Sequence, residues 1–304
     1  MNLTQFNLRQ RASLAALAGA LMASGATAAF FGGWSAPANL KTLAGSASDL
    51  NTPAVDGCAS LSPDGSQIAF TSNRTGDFEI YIADRLPSGG FGSPVRLPVP
   101  VNGPDSDACP TLLEGKRMIY TSTRDDPAGD LYQTRLGPKG WSTPVRFGPN
   151  INAPGELDES ADVYEDDEGR EVMVFSRRPG LNTTGKIYQS IAGAPATLVQ
   201  GGPHSSAGDN RPSVTKDGKT MYFDSTRSGG LGDSDLYVSR RSSVNQQWGV
   251  AEHLSGLSSP QFDGRPFISK DRRRLTFSSN RAGSTSPAPD IWFAARDKVK
   301  GFEK

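Results

Sequence analysis

Five aspartates, Asp56, Asp107, Asp158, Asp209 and Asp263, recur at intervals of 51, 51, 51 and 54 residues. Each is followed by an arginine that closes a short apolar run: Arg74, Arg124, Arg178, Arg227 and Arg281. Carboxylates and guanidiniums repeated on one period can do two kinds of chemistry. Paired with each other they cap turns and staple a fold; unequal members of the set, left unpaired, bind a polar or charged ligand. Two carboxylates about 5 to 9 Å apart would also suffice for glycoside hydrolysis. Repetition in every unit is what stapling predicts and what a catalytic pair does not require.

The positions two residues after each aspartate are unequal: Cys58, Cys109, Ser160, Arg211 and Arg265. Arg211 and Arg265 either clamp a carboxylate or phosphate through the planar fork of the guanidinium or neutralise Asp209 and Asp263. Cys58 and Cys109 form a disulfide if matching places on successive units bring their Cα atoms within about 7 Å; otherwise they are two separate buried thiols. Their spacing is not that of a zinc site, and His204 and His253 lie far from them in sequence. The acidic run from Glu156 to Glu168 and the basic run Arg272, Arg273 and Arg274 read as solvated surface. Neither that run nor Asp233 and Asp235 has the ordered spacing of a calcium loop. No metal and no cofactor is expected. One unit breaks the charge pattern, with Lys186 where the others carry Glu79, Asp130, Asp235 and Asp290.

The elements that must position these residues are short strands. The arginines end the segments IAFTSNR, MIYTSTR, VMVFSRR, MYFDSTR and LTFSSNR. Turns such as SPDG at Ser62 and KDG at Lys216 precede these segments, and aromatic runs such as EIYIA, DLYQT and DIWFA follow them. Three apolar runs separated by Gly, Asp and Asn turns, with no helical period, read as three strands. A fourth run follows in four units: GSPVRLP, WSTPVRFG, GAPATLV and WGVAEHLS. Four strands per unit of about fifty residues predicts a five-bladed β-propeller of four-stranded antiparallel blades. The last unit lacks a fourth run, and GWSAPANL near the N-terminus resembles it. Trp34 to Leu40 is therefore expected to supply the outer strand of the last blade and close the ring, removing two unpaired sheet edges.

The succession of Asp, SPDG, FTSNR, Asp-Leu-Tyr and GWSTPV resembles the TolB-type propeller repeat, which also occurs beside OmpA-like peptidoglycan-binding domains. The resemblance covers nearly the whole chain after its first thirty residues. It implies an envelope setting, with an envelope protein or a peptidoglycan-associated partner, and it does not fix an activity, since one fold hosts many functions.

The first 28 residues read as a signal peptide: Arg9 and Arg11, then an apolar run from Leu14 to Ala23 too short to span a bilayer, then Ala26-Thr27-Ala28. Residues 29–304 are then one domain, periplasmic or secreted, monomeric, with no transmembrane segment after cleavage. Lys plus Arg and Asp plus Glu number 32 each, and loss of the leader leaves a formal charge near −2, which excludes a basic nucleic-acid surface. No Gly-x-Ser-x-Gly nucleophile elbow is present. The sequence thus points to a binding or scaffolding module, the alternative being a glycan-processing hydrolase that uses channel-mouth aspartates.

Overall fold

A computed structural model describes residues 30–179 and 184–299. The leader, residues 1–28, lies outside the described residues. Five antiparallel sheets follow one another around an axis. Blade 1 runs over residues 56–96, blade 2 over 107–146, blade 3 over 157–198 and blade 4 over 209–253. Blade 5 takes Asp263–Ile268, Arg274–Ser279 and Asp290–Ala295, with Ala38–Asn39 as its fourth strand. The fold is a five-bladed β-propeller.

The inner strands of each blade are buried on both faces, because a blade is packed between two neighbours. That is why the strands read as continuous apolar runs rather than as an alternation: Gln67–Ser72 and Arg117–Ser122 bury every residue but the first. The core is accordingly five interblade clusters, such as Ile80, Leu97, Met118 and Tyr120 between blades 1 and 2. The inner hairpins turn as their sequences demand. In SPDG, Asp64 accepts the Ser66 N–H at 3.0 Å and Gly65 takes φ +71°, which a side chain would resist.

The outer strands are only two residues long, and an acid at the start of the third strand ties three of them down. Glu79 pairs with Arg96, Asp130 with Arg146, and Asp290 accepts from Asn39 at 2.7 Å. The last of these joins residues 251 apart in sequence. Asn51 completes that junction, donating to the Ile291 carbonyl at 3.0 Å and accepting the Ile291 N–H at 2.8 Å. Asn102 and Asn152 hold Ile80 and Leu131 in the same way in blades 1 and 2. The N-terminal segment therefore does for blade 5 what the connecting loops do elsewhere.

The strand is shorter than the expected Trp34 to Leu40. Trp34 lies outside it, packed edge-on to Tyr222 at 6.2 Å with the Arg296 guanidinium 4.3 Å from its ring, and Leu40 begins a short 3-10 turn. A further two-residue ladder, Phe30–Phe31 with Lys298–Val299, joins the two ends of the described chain and has no counterpart in the repeat.

Candidate ligand site at the channel mouth

All five repeat aspartates are fully buried. In each, one oxygen accepts a loop N–H: that of Thr52 at 2.6 Å, Gly103 at 2.9 Å, Ala153 at 2.8 Å, Ser205 at 2.7 Å and Ser259 at 2.5 Å. The other oxygen takes an arginine. Arg74 reaches Asp56 at 2.6 Å and Arg124 reaches Asp107 at 2.7 Å, while Arg227 and Arg281 hold Asp209 and Asp263. The same guanidiniums bond carbonyls of the incoming blade connection, as Arg74 does at Asp49 and Arg124 at Val101. They also lie over the repeat aromatics, Arg74 4.7 Å from the Tyr81 ring and Arg227 4.9 Å from that of Tyr237. Ion pair, loop bond and ring stack together make each of these groups a staple between its blade and the incoming connection.

Blade 3 departs from the expected pairing. Asp158 is met by Arg177, at 2.8 Å, not by Arg178. In the ladder Asp158 lies opposite Arg177, whereas Asp56, Asp107, Asp209 and Asp263 lie opposite Ser72, Ser122, Ser225 and Ser279. Those serines accept the Nε–H of their arginines. Arg177 replaces the serine and reaches the aspartate itself, still stacked on Phe175 and Tyr188. Arg178 is set free and bonds Glu159. Asp158, with burial as the largest influence and Arg177 opposing it, is pushed up to about 6.

The positions two after the aspartates also behave differently from expectation. Cys58, Cys109, Ser160, Arg211 and Arg265 all take positive φ, between 50° and 56°, at a β-bulge that interrupts the first ladder of every blade. Bulging lets the backbone N–H cross to the preceding blade: Cys58 donates to Ser278 at 3.0 Å, Cys109 to Thr71 at 2.7 Å and Arg265 to Asp224 at 2.8 Å. Cys58 and Cys109 are bonded to each other, with Cα atoms 4.8 Å apart. Neither arginine pairs with the repeat aspartate of its own blade, Asp209 or Asp263. Arg211 lies 3.4 Å from Glu159 and 3.2 Å from Asp224.

Five charged residues therefore meet around the axis, at places where the other blades are small and neutral. Glu159 corresponds to Gly57, Ala108, Asn210 and Gly264; Asp224 to Thr71, Thr121, Ser176 and Ser278; Arg178 to Asn73, Thr123, Thr226 and Asn280; Arg211 and Arg265 to Cys58, Cys109 and Ser160. Burial alone would raise Glu159, yet Arg211, Arg178 and Arg265 hold it below the usual carboxylate range. Burial pushes Asp224 up against the pull of Arg211. Arg265 is brought down to about 10 by burial and by Arg211 beside it, and stays charged at neutral pH. The Nε–H groups of Arg178, Arg211 and Arg265 are buried without an acceptor. A cavity of about 370 Å³ opens onto this cluster, lined by the Cys58–Cys109 bond, Arg178, Arg265 and Glu159 together with Phe78, Pro127 and Leu157. A second cavity of about 320 Å³ is lined by Arg178, Arg211 and Asp224.

Part of the acidic run is thus interior, since Asp158, Glu159 and Asp162 are buried in the innermost strand of blade 3, Leu157–Glu165. Lys186 donates to the carbonyls of Ser205, at 2.6 Å, and Ala207. The Arg272 side chain pairs with Asp217 at 2.7 Å on the surface. No cluster of three or more metal-ligating side chains occurs among the described residues. No helix among them is long and apolar enough to cross a membrane.

No protein-family model matches the chain, and no curated protein matches it. Solved structures do. An arabinanase of Bacillus subtilis superposes with a TM-score of 0.55 at 11% identity, over 81% of this chain and 94% of that one. An endo-arabinase of Bacteroides thetaiotaomicron gives 0.54 at 17%, over 88% and 99%. TolB of Acinetobacter baumannii gives 0.45 at 17%, over 80% and 54%. At these identities the likeness to the two arabinan-degrading enzymes is one of fold alone.

Proposed function

We propose that this chain is an exported binding module of the cell envelope, residues 29–304 folding as one domain after removal of residues 1–28, with the channel mouth as its ligand or partner site. The observation that carries this reading is the state of the two channel carboxylates. Glu159 is bonded to Arg178 and lies beside Arg211, and Asp224 is bonded to Arg211, to the Arg265 backbone and, at 3.3 Å, to Ser234. Both oxygens of Asp224 and Oε1 of Glu159 accept from arginine or its neighbours, which supports a counter-ion role for the two carboxylates over general acid–base work. What the mouth offers instead is unsatisfied guanidinium. The TolB-type repeat adds envelope proteins and peptidoglycan-linked partners as the class of macromolecule to test.

Hydrolysis is the second reading, favoured by the arabinanase neighbours and by two carboxylates that meet one guanidinium. The test is a pull-down from envelope extract run beside an arabinan and mixed-glycan hydrolysis screen. Capture of a partner with no glycan turnover is the expected result. Turnover by the parent protein, lost in Glu159→Gln or Asp224→Asn variants that melt normally, would establish the hydrolase.

A further inference from the structure

Arg265 is the one member of the channel cluster that its surroundings do not account for. Arg178 is used by Glu159, and Arg211 by Glu159 and Asp224. The Arg265 guanidinium has no carboxylate within ion-pair distance among the described residues, and its nearest aromatic contact is loose, 5.8 Å to the centre of the Phe262 ring. Its Nε–H is buried and unbonded. The backbone of Arg265 is committed to the bulge and to Asp224, so the side chain is held at the wall of the 370 Å³ cavity by main-chain bonds alone. A guanidinium kept charged and partly dehydrated without an ion-pair partner of its own costs stability, and such a residue in a repeat whose other members are Cys, Ser or the ion-paired Arg211 calls for a use.

Resting on the binding-module reading above, we infer that the cavity beside Arg265 binds a small monocarboxylate with an apolar body. The charges set the valence. Arg178, Arg211 and Arg265 against Glu159 and Asp224 leave a formal excess of one positive charge, which one carboxylate balances, whereas a second negative charge would face Glu159. The planar fork of Arg265 suits the two oxygens of a carboxylate. The rest of the lining sets the body: Phe78, Pro127 and Leu157 are apolar, and the hydroxyls of Thr71, Thr121 and Thr123 are engaged with the Cys109 N–H, the Asp158 carbonyl and the Ser106 N–H. The volume is in the range of small-molecule sites.

The test is calorimetric titration of the purified protein with benzoate, phenylacetate and hexanoate, with benzamide and inorganic phosphate as controls. At least one carboxylate is expected to bind, with benzamide and phosphate weaker by about tenfold or more. Arg265→Gln is expected to weaken that carboxylate by about tenfold or more and to melt close to the parent, because Glu159 keeps Arg178 and Arg211 and Asp224 keeps Arg211. Arg265→Lys should recover part of the affinity. A merely structural arginine would instead give a variant that melts lower. No binding of any of the three carboxylates, equal binding of benzamide, tighter binding of phosphate, or unchanged affinity in Arg265→Gln overturns the inference. If that happens while an envelope partner is still captured, the binding-module reading stands and only the ligand class falls; arabinan turnover would remove the module reading instead.

Discussion

Arg177 lies directly across the ladder from Asp158, in the place that serine holds in each of the four other blades, and from there it bonds the carboxylate at 2.8 Å. One arginine thus replaces a serine and an arginine, and its neighbour Arg178 is released into the channel. Arg177→Ala is expected to leave Asp158 buried without a counter-charge and to cost about 3 to 5 kcal/mol. Arg178→Ala leaves Glu159 with Arg211 and should cost far less. Denaturant melts of the two variants check the assignment, and the opposite order would restore Arg178 as the staple.

Asp158 also carries a pH signature. Its carboxyl is pushed up to about 6 from an ordinary 3.8, so the folded chain holds this proton more tightly than the unfolded chain. Its contribution to stability is therefore most favourable at acid pH and declines as pH rises through the window from about 4 to 6, by about 3 kcal/mol at most. Asp158→Asn, which fixes the neutral form, should flatten that decline. Stability of parent and variant measured against pH, read as a difference, is the check; parallel curves would count against the shift.

Removal of residues 34–40 deletes the fourth strand of blade 5, Asn39 with its bond to Asp290, and buried Leu40. The variant should melt well below the parent or aggregate through the exposed edge. Melting at the parent temperature would show that the ring does not depend on this strand.

The Cys58–Cys109 bond joins residues 51 apart. On the chain-entropy estimate it contributes about 4 kcal/mol, so the double Cys→Ser variant should unfold at markedly lower denaturant than the parent. Alkylation of the unreduced protein followed by mass measurement should find no free thiol.

Five copies of one pattern made the fold legible before any coordinates, because each blade repeats the same aromatic, aspartate and turn. The closing strand was legible for the same reason, although only Ala38–Asn39 of the expected segment pairs. The slip at Arg178 has a plain origin. From the aromatic to the arginine the spacing is four residues in Phe70–Arg74, Tyr120–Arg124, Phe223–Arg227 and Phe277–Arg281, but three in Phe175–Arg178. The broken spacing, together with the missing serine, was the signal. The channel cluster was harder to see. Glu159, Arg178, Arg211, Asp224 and Arg265 come from three successive blades, and only the packing of each blade on the next brings them within bonding reach. Their signature in the sequence is a charge at aligned places that are otherwise small and neutral.

The bulge level has a consequence for traffic. With the two sulfurs bridging one side of the axis and Arg211 and Arg265 on the other, the interior there narrows to a void of about 30 Å³, room for about one water. The ring is a cup and not a pipe. Whatever enters from the mouth must leave by it, so a long polymer can present an end or a side group to this protein but cannot be threaded through it.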